Sequence, residues 1–259
     1  MTGLSGKHIV ITRAWHQAGE FSQRLEAQKA VPLFYPCVDI VPPVDTKDLD
    51  LKITALFAGA FDWLILTSQN TVLALASRMK EMRITQPLPS RLKFAAIGSS
   101  TAAAAQDFLG INARAVPKVY NSESLAALLG HCAGQKILLP QADIARPELA
   151  ANLRKADAAV TCVFAYQTKK GSGGVKLVDY LKRRQVDVVT FASPSAVHYF
   201  KERLGDEGLG IEALHDTCVA CIGNVTHKAA IDAGFDVSLV AKRHTVESLV
   251  KMLQEHFSV

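Results

Sequence analysis

A chain of 259 residues is long enough for two modest domains or one large one, either able to bury a core. Its 49% hydrophobic and 20% charged residues exclude a disordered chain. The formal charge of +5 is spread out, with small clusters such as Lys169-Lys170 and Lys182-Arg183-Arg184, so it fits solvated helix faces and no nucleic-acid stripe, while still favouring a polyanionic small molecule.

Met1 to Arg13 holds a short apolar stretch broken by Lys7, His8 and Arg13. It lacks the apolar centre of a secretory leader and reads as a first strand, over 8–12. A helix over 17–29 and a strand over 31–35 follow. Pro32 to Pro43 is punctuated by prolines, so it is extended and cannot be helical. Strands over 62–66, 94–97 and 113–116 then alternate with helices over 70–82, 101–109 and 122–131. A strand over 136–139, a helix over 146–155 and a strand over 160–164 lead to Tyr166–Gly174. That stretch is polar and glycine-rich and reads as a flexible connection. The remainder alternates again: strands over 187–191, 218–222 and 236–240, helices over 195–204, 225–233 and 246–257. The strand runs are short and largely Val, Ile, Leu, Phe and Ala, as befits strands buried on both faces. Their alternation with helices predicts an α/β fold with parallel sheets.

The chain contains itself twice. Asp62-Trp-Leu-Ile-Leu-Thr-Ser-Gln-Asn-Thr-Val72 matches Asp187-Val-Val-Thr-Phe-Ala-Ser-Pro-Ser-Ala-Val197, and Ala95-Ala-Ile-Gly-Ser-Ser-Thr101 matches Ala220-Cys-Ile-Gly-Asn-Val-Thr226 at the same offset. After a one-residue slip, Glu123-Ser-Leu125 matches Glu247-Ser-Leu249. So long a period means two domains of one fold, not a solenoid. The two connections favour an inserted arrangement: residues 1–36 with 170–259 as one domain, 40–166 as the other, and linkers near 36–40 and 166–170.

Chemistry-capable residues follow the repeated strands. Thr67-Ser68-Gln69-Asn70, Gly98-Ser99-Ser100-Thr101, Ser193-Pro194-Ser195 and Gly223-Asn224-Val225-Thr226 each open a helix. Ligands of open α/β sheets bind beyond the carboxyl ends of the strands, where free helical N–H groups suit phosphate or carboxylate. Ser, Thr and Asn are also the ordinary caps of any helix, so each site alone is explained by capping. Together they leave a carboxylate- or phosphate-rich ligand open. Arg13 closes the first strand, either as an anion partner or as a surface residue. Tyr166 stands where a strand gives way to the second connection, placed either to hydrogen-bond a leaving oxygen or to pack there. Arg146 either reaches a cleft beyond these strand ends or only begins a helix.

Other chemistries lack their motifs. There is no G-x-G-x-x-G, no G-x-x-x-x-G-K-[ST], no H-E-x-x-H and no G-x-S-x-G. Cys218-Val-Ala-Cys221 has metal-like spacing, yet residues three apart on a strand point to opposite faces, so core packing is expected. With Cys37, Cys132 and Cys162, the odd, scattered cysteines point to a reducing, cytoplasmic compartment. No run approaches the roughly 20 apolar residues of a membrane helix.

Ile11-Thr-Arg13, Asp62-Trp-Leu-Ile-Leu-Thr-Ser68 with Asn70, Ala96-Ile-Gly98 with Thr101, Tyr166-Gln-Thr168, Phe191-Ala-Ser-Pro-Ser195, Ile222-Gly-Asn-Val-Thr226 and His244-Thr-Val-Glu-Ser-Leu249 occur in the order and spacing that resemble the uroporphyrinogen-III synthase family. The resemblance implies two flavodoxin-like domains with parallel sheets, joined by a two-stranded linker, with the site in the cleft between them. It implies a cofactor-independent hydro-lyase of haem biosynthesis. That enzyme closes hydroxymethylbilane to uroporphyrinogen III through an azafulvene and a spirocyclic intermediate, losing water and inverting the last pyrrole. Tyr166 would then assist departure of the hydroxyl. Thr67, Ser68, Asn70, Ser99, Thr101, Ser193, Ser195 and Thr226, with Arg13, would hold the carboxylates. A monomer is expected, with no nucleic-acid or membrane partner and a transient contact with the upstream hydroxymethylbilane synthase. A two-lobed binding sensor and a two-domain sugar-nucleotide enzyme are the alternatives. The chain departs from the family's pattern at Pro140-Gln141, at Asp157-Ala158, where a helix-ending glycine is usual, and at His227.

Overall fold

The computed structural model describes residues 3–119, 121–130 and 132–258. Met1 and Thr2, which begin the first expected segment, and His131, the last residue of the helix expected over 122–131, lie outside the described residues. The first part of the chain forms β1 (His8–Ile11), α1 (Trp15–Glu26), β2 (Val31–Phe34) and β3 (Val38–Val41). Next come α2 (Lys47–Phe57), β4 (Trp63–Leu66), α3 (Gln69–Glu81), β5 (Lys93–Ala96), α4 (Ser99–Leu109) and α5 (Ser122–Leu128). After these lie β6 (Lys136–Ala142), α6 (Glu148–Lys155), β7 (Ala159–Lys170), α7 (Leu177–Lys182), β8 (Val188–Phe191) and α8 (Pro194–Asp206). A 3₁₀ turn (Ile211–Leu214), β9 (Cys218–Cys221), α9 (Asn224–Asp232), β10 (Leu239–Val240) and α10 (Val246–Phe257) complete the chain.

Two compact units result: the residues up to Asp39 with those from Lys169 onward, and Ile40–Thr168. In the first, the sheet order is β10-β9-β8-β1-β2, with parallel neighbours throughout. Ile9, Val10 and Ile11 are at most 1% exposed, because β1 is flanked by β8 and β2 and covered on both faces. Phe21 and Leu25 of α1 pack with Leu249, Val250 and Leu253 of α10 on one face. Phe191, Phe200 and Phe235 form a ring cluster with centroids 5.2–5.9 Å apart. Two buried threonines stitch β1 to β8: Thr12 Oγ1 donates to the Thr190 carbonyl and Thr190 Oγ1 to the Val10 carbonyl, each at 2.7 Å.

In the second unit the order is β3-β7-β6-β4-β5. One core, around Leu64, Leu66, Phe94 and Leu138, takes Leu49, Ile53 and Leu56 of α2 and Val72 and Leu75 of α3. The other, around Ile65, Ala95, Ile137 and Leu139, takes Leu125 of α5 and Leu149 and Leu153 of α6. The repeat is physical as well as textual. Asp187 accepts the His8 N–H at 2.8 Å, and its counterpart Asp62 accepts the Lys136 N–H at 2.8 Å, each securing the start of a neighbouring strand.

Several segments differ from the sequence expectations. Helix α2 was not among the expected helices: Leu49, Leu51 and Ile53 alternate like a strand, but Leu49, Ile53 and Leu56 share one buried helical face and Leu51 is 66% exposed. The six-residue α7, which buries only Leu177, was likewise not expected. The strand expected over 113–116 is a single bridge, Ala95 with Ala115. The one expected over 236–240 shortens to two residues. Strand β6 runs past Pro140 to Ala142, since its pairing with β4 ends at Leu138 and no ladder donor is demanded of the proline on that side. Asp157 fills the helix-ending glycine's place with φ of 58°, a conformation Asp tolerates better than most residues.

The expectation of a flexible connection over Tyr166–Gly174 is corrected. Tyr166 to Lys170 belong to β7, and the Gly171 N–H donates to the Cys37 carbonyl at 2.9 Å. A Cβ on Gly171 would lie 2.5 Å from the Pro36 carbonyl oxygen, and one on Gly174 2.1 Å from that of Phe34. These glycines permit close backbone approach.

Candidate active site

In the second unit, chemistry gathers where β4 gives way to α3. Ser68 is extended at the helix N-cap, and its Oγ accepts the Thr71 N–H at 3.1 Å. The same Oγ lies 2.9 Å from Thr71 Oγ1 and 3.2 Å from the Tyr166 hydroxyl. Tyr166 is 8% exposed and belongs to the core that holds Leu66 and Val72. A register shift in β7 turns it there. Gln141 pairs with Phe164 but Ala142 with Tyr166, so Ala165 is an extra residue. By simple alternation Tyr166 would share the outward face of Phe164, which is 54% exposed. The bulge re-aims it inward.

The tip of β5 lies beside that of β4, for the Ile97 N–H donates to the Leu66 carbonyl at 3.2 Å. Gly98 caps α4 in an extended conformation, Ser99 is exposed on its first turn and Thr101 is buried. Thr67 and Asn70 are half-buried at the same end. Thus Thr67, Ser68, Asn70, Ser99, Thr101 and Tyr166 lie at the carboxyl end of the strands of one sheet.

In the first unit Arg13, Ser193 and Thr226 follow the adjacent strands β1, β8 and β9. Ser193 Oγ accepts the Ala196 N–H at 3.1 Å, repeating the Ser68 cap, with Pro194 opening the helix and Ser195 half-buried behind it. Thr226 is buried in the first turn of α9. The His244 ring packs so closely on Gly223 that a Cβ there would meet its Nε2 at 2.2 Å. Arg13 Nε is buried with no hydrogen-bond partner, and burial lowers the guanidinium pKa while Glu20 works to raise it. Arg146 is exposed in the turn before α6.

Among the described residues no three His, Cys, Asp or Glu side chains form a group able to hold a metal ion. Cys221 is buried, and desolvation pushes its thiol up to about 12, which disfavours the thiolate a metal requires.

Three features escaped the sequence. Trp15 opens α1 two residues after Arg13, is 56% exposed and stacks on Phe34 at 5.3 Å. Gln167 Oε1 is a buried acceptor without a partner, next in sequence to Tyr166. Thr71 adds a buried hydroxyl to the Ser68 cap. Only the last had a textual signal, since the repeat places Ala196 at the corresponding position.

The family model for uroporphyrinogen-III synthase HemD matches residues 19–251. The chain belongs to the uroporphyrinogen-III synthase family. Every candidate site residue except Arg13 falls within that match. The uroporphyrinogen-III synthase of Synechococcus elongatus is 28% identical over 264 residues, covering 97% of this chain and 96% of that protein. The porphyrin biosynthesis protein HemD of Ruminiclostridium josui is 25% identical over 255 residues, 97% of this chain, which spans only 49% of that protein's length. A crystal structure of a mutant uroporphyrinogen III synthase from the extremely thermophilic bacterium Thermus thermophilus superposes with a TM-score of 0.64 at 19% identity, over 98% of this chain and 99% of that one. It shares the fold of two α/β units with parallel sheets. Among the described residues no helix is long and apolar enough to cross a membrane.

Proposed function

We propose that this chain is a lyase that closes hydroxymethylbilane to uroporphyrinogen III, with loss of water and inversion of the terminal pyrrole ring. The observation that carries this reading is the family match over residues 19–251, and the site chemistry supports it. The substrate's pyrrole nitrogen supplies the electron pair that expels the terminal hydroxyl, so the protein needs a proton donor and a shape more than a nucleophile. Tyr166, turned inward by the bulge and held 3.2 Å from Ser68, is the proton donor to the leaving oxygen. The starts of α3, α4, α8 and α9, with Thr67, Ser68, Asn70, Ser99, Thr101, Ser193, Ser195 and Thr226, take up carboxylates through main-chain N–H groups and through those side-chain donors not already engaged. Arg13, with its unpaired buried Nε–H, pairs with one carboxylate, and the exposed Trp15 offers a ring face to a pyrrole.

Selectivity then rests on conformation, because unassisted closure of the bilane gives the uninverted isomer. Holding the terminal ring so that its substituted carbon meets the azafulvene is catalysis by positioning. The free cysteines, Cys37 among them, support a cytoplasmic setting, where the protein acts as a monomer. Adding purified protein to freshly prepared hydroxymethylbilane and separating the products should give the type III isomer in large excess. Type I alone, at the spontaneous rate, would refute the assignment.

A further inference from the structure

We infer that Thr71 is a positioning residue that sets the direction in which Tyr166 presents its proton; this rests on the role proposed above for Tyr166. Ser68 Oγ has one proton to give and two lone pairs to fill. It lies within hydrogen-bond reach of three groups: the Thr71 N–H at 3.1 Å, Thr71 Oγ1 at 2.9 Å and the Tyr166 hydroxyl at 3.2 Å. The N–H can only donate, so it occupies one lone pair. The other lone pair and the proton are shared between Thr71 and Tyr166, which leaves two arrangements.

In one, Thr71 Oγ1–H donates to Ser68, and Ser68 donates to the Tyr166 oxygen. The Tyr166 proton is then free to point to a substrate. In the other, Tyr166 donates to Ser68 and Ser68 donates to Thr71, so the Tyr166 proton is turned away. Burial decides between them. Thr71 is 0% exposed, and among the described residues Ser68 Oγ is the partner of its hydroxyl. The second arrangement strands the proton of Thr71, which is fully enclosed, whereas the first leaves unpaired only the proton of Tyr166, the group with some exposure and the one that meets the substrate. The chain of hydroxyls therefore runs Thr71 to Ser68 to Tyr166, and it makes the tyrosine an outward donor.

The repeat supplies an internal control. Ser193 caps α8 as Ser68 caps α3, accepting the N–H of the residue three positions on at the same 3.1 Å. That residue is Ala196, 1% exposed and without a hydroxyl. The cap and the packing are thus met by alanine, and the Thr71 hydroxyl exceeds what the helix requires. It occurs in the unit that contains Tyr166.

The test compares Thr71→Ala, Thr71→Val and Thr71→Ser, each alone and combined with Tyr166→Phe, using hydroxymethylbilane as substrate. Alanine reproduces the residue tolerated in the other unit and valine conserves volume, so thermal melting should show both variants folded. With the Ser68 lone pair vacated, Tyr166 can donate inward. Both variants should lower kcat for type III product about tenfold at unchanged KM, the worth of roughly one hydrogen bond. Thr71→Ser should restore the rate, and none of the three should matter in the Tyr166→Phe background. Folded Thr71→Ala and Thr71→Val variants with wild-type kcat, beside a slow Tyr166→Phe, would overturn the inference and leave Tyr166 in place. Equal losses from Thr71→Ala with and without the tyrosine hydroxyl would also overturn it. Normal turnover by Tyr166→Phe would instead overturn the role of Tyr166 itself.

Discussion

A guanidinium withdrawn from water with one N–H unpaired is complementary to an anion before any ligand arrives. Arg13 Nε is in that condition, and Glu20 is the charge that offsets its desolvation. Lysine keeps the charge but cannot present a planar N–H at that depth. Arg13→Lys should therefore raise KM for the bilane about tenfold with little change in kcat, as expected when uniform binding is lost. Steady-state kinetics at low and moderate salt would check this, and a wild-type KM would remove Arg13 from the binding set. At this scale the sequence showed residue types but not their surroundings. Arg13 and Tyr166 were visible as candidates because each ends or leaves a strand. The orphaned Nε depends on what covers it, and the inward turn of Tyr166 depends on one extra residue, Ala165, that no periodicity reveals.

Elements are secured here by backbone contacts as much as by apolar faces. Gly171 meets the Pro36 carbonyl and the Val38 nitrogen within 2.8 Å of where a Cβ would stand, whereas Gly205 in α8 would meet nothing within 4 Å. Gly171→Ala should cost roughly 1–3 kcal/mol through forced backbone displacement. Gly205→Ala should stabilise by up to about 1 kcal/mol through helix propensity. Urea midpoints for the pair would check both signs. Helices α2 and α3 are tied by Arg78, whose Nε and Nη2 reach the two Asp50 oxygens at 2.6 Å each. Hydrogen bonding by Arg78 holds the Asp50 carboxyl below its usual range. A depressed carboxyl stabilises the fold above its unfolded pKa, and that stability disappears as pH falls through the lowered value. Asp50→Asn should thus lower the melting temperature at neutral pH, by less at high salt, and the difference from wild type should close in strong acid. Melting curves from pH 7 down to about 2 would test this, and an undiminished gap would refute it. The alternation of Leu49, Leu51 and Ile53 concealed α2 in the sequence, because a period of two is ambiguous until the partner face is known. Tyr166–Gly174 misled for the opposite reason: glycine marks close approach as readily as mobility.

Duplication shaped the whole chain, and the copies kept the physics that makes a unit: Asp62 and Asp187 at strand starts, Ser68 and Ser193 at helix caps. They diverged where chemistry was added, as at Thr71 and Ala196. Among the described residues, the cores around Leu64 and Ile65 draw on Ile40–Thr168 and the core around Ile9 on the remainder. The two units also close differently in sequence. Sheet order β3-β7-β6-β4-β5 is supplied entirely by residues 38–170, whereas β8 needs β1 and β2 from the far end of the chain to complete β10-β9-β8-β1-β2. A fragment of residues 36–170 should therefore fold alone, with a cooperative thermal transition followed by circular dichroism and no production of type III isomer. A fragment of residues 171–259 lacks β1, the strand on which both neighbouring ladders depend, and would expose one side of β8 and the apolar face of α10. It should remain unfolded until residues 1–36 are supplied, and adding that peptide in trans should restore helical signal. A gradual, non-cooperative melt of the 36–170 fragment would show that the unit's two cores are insufficient without the rest of the chain.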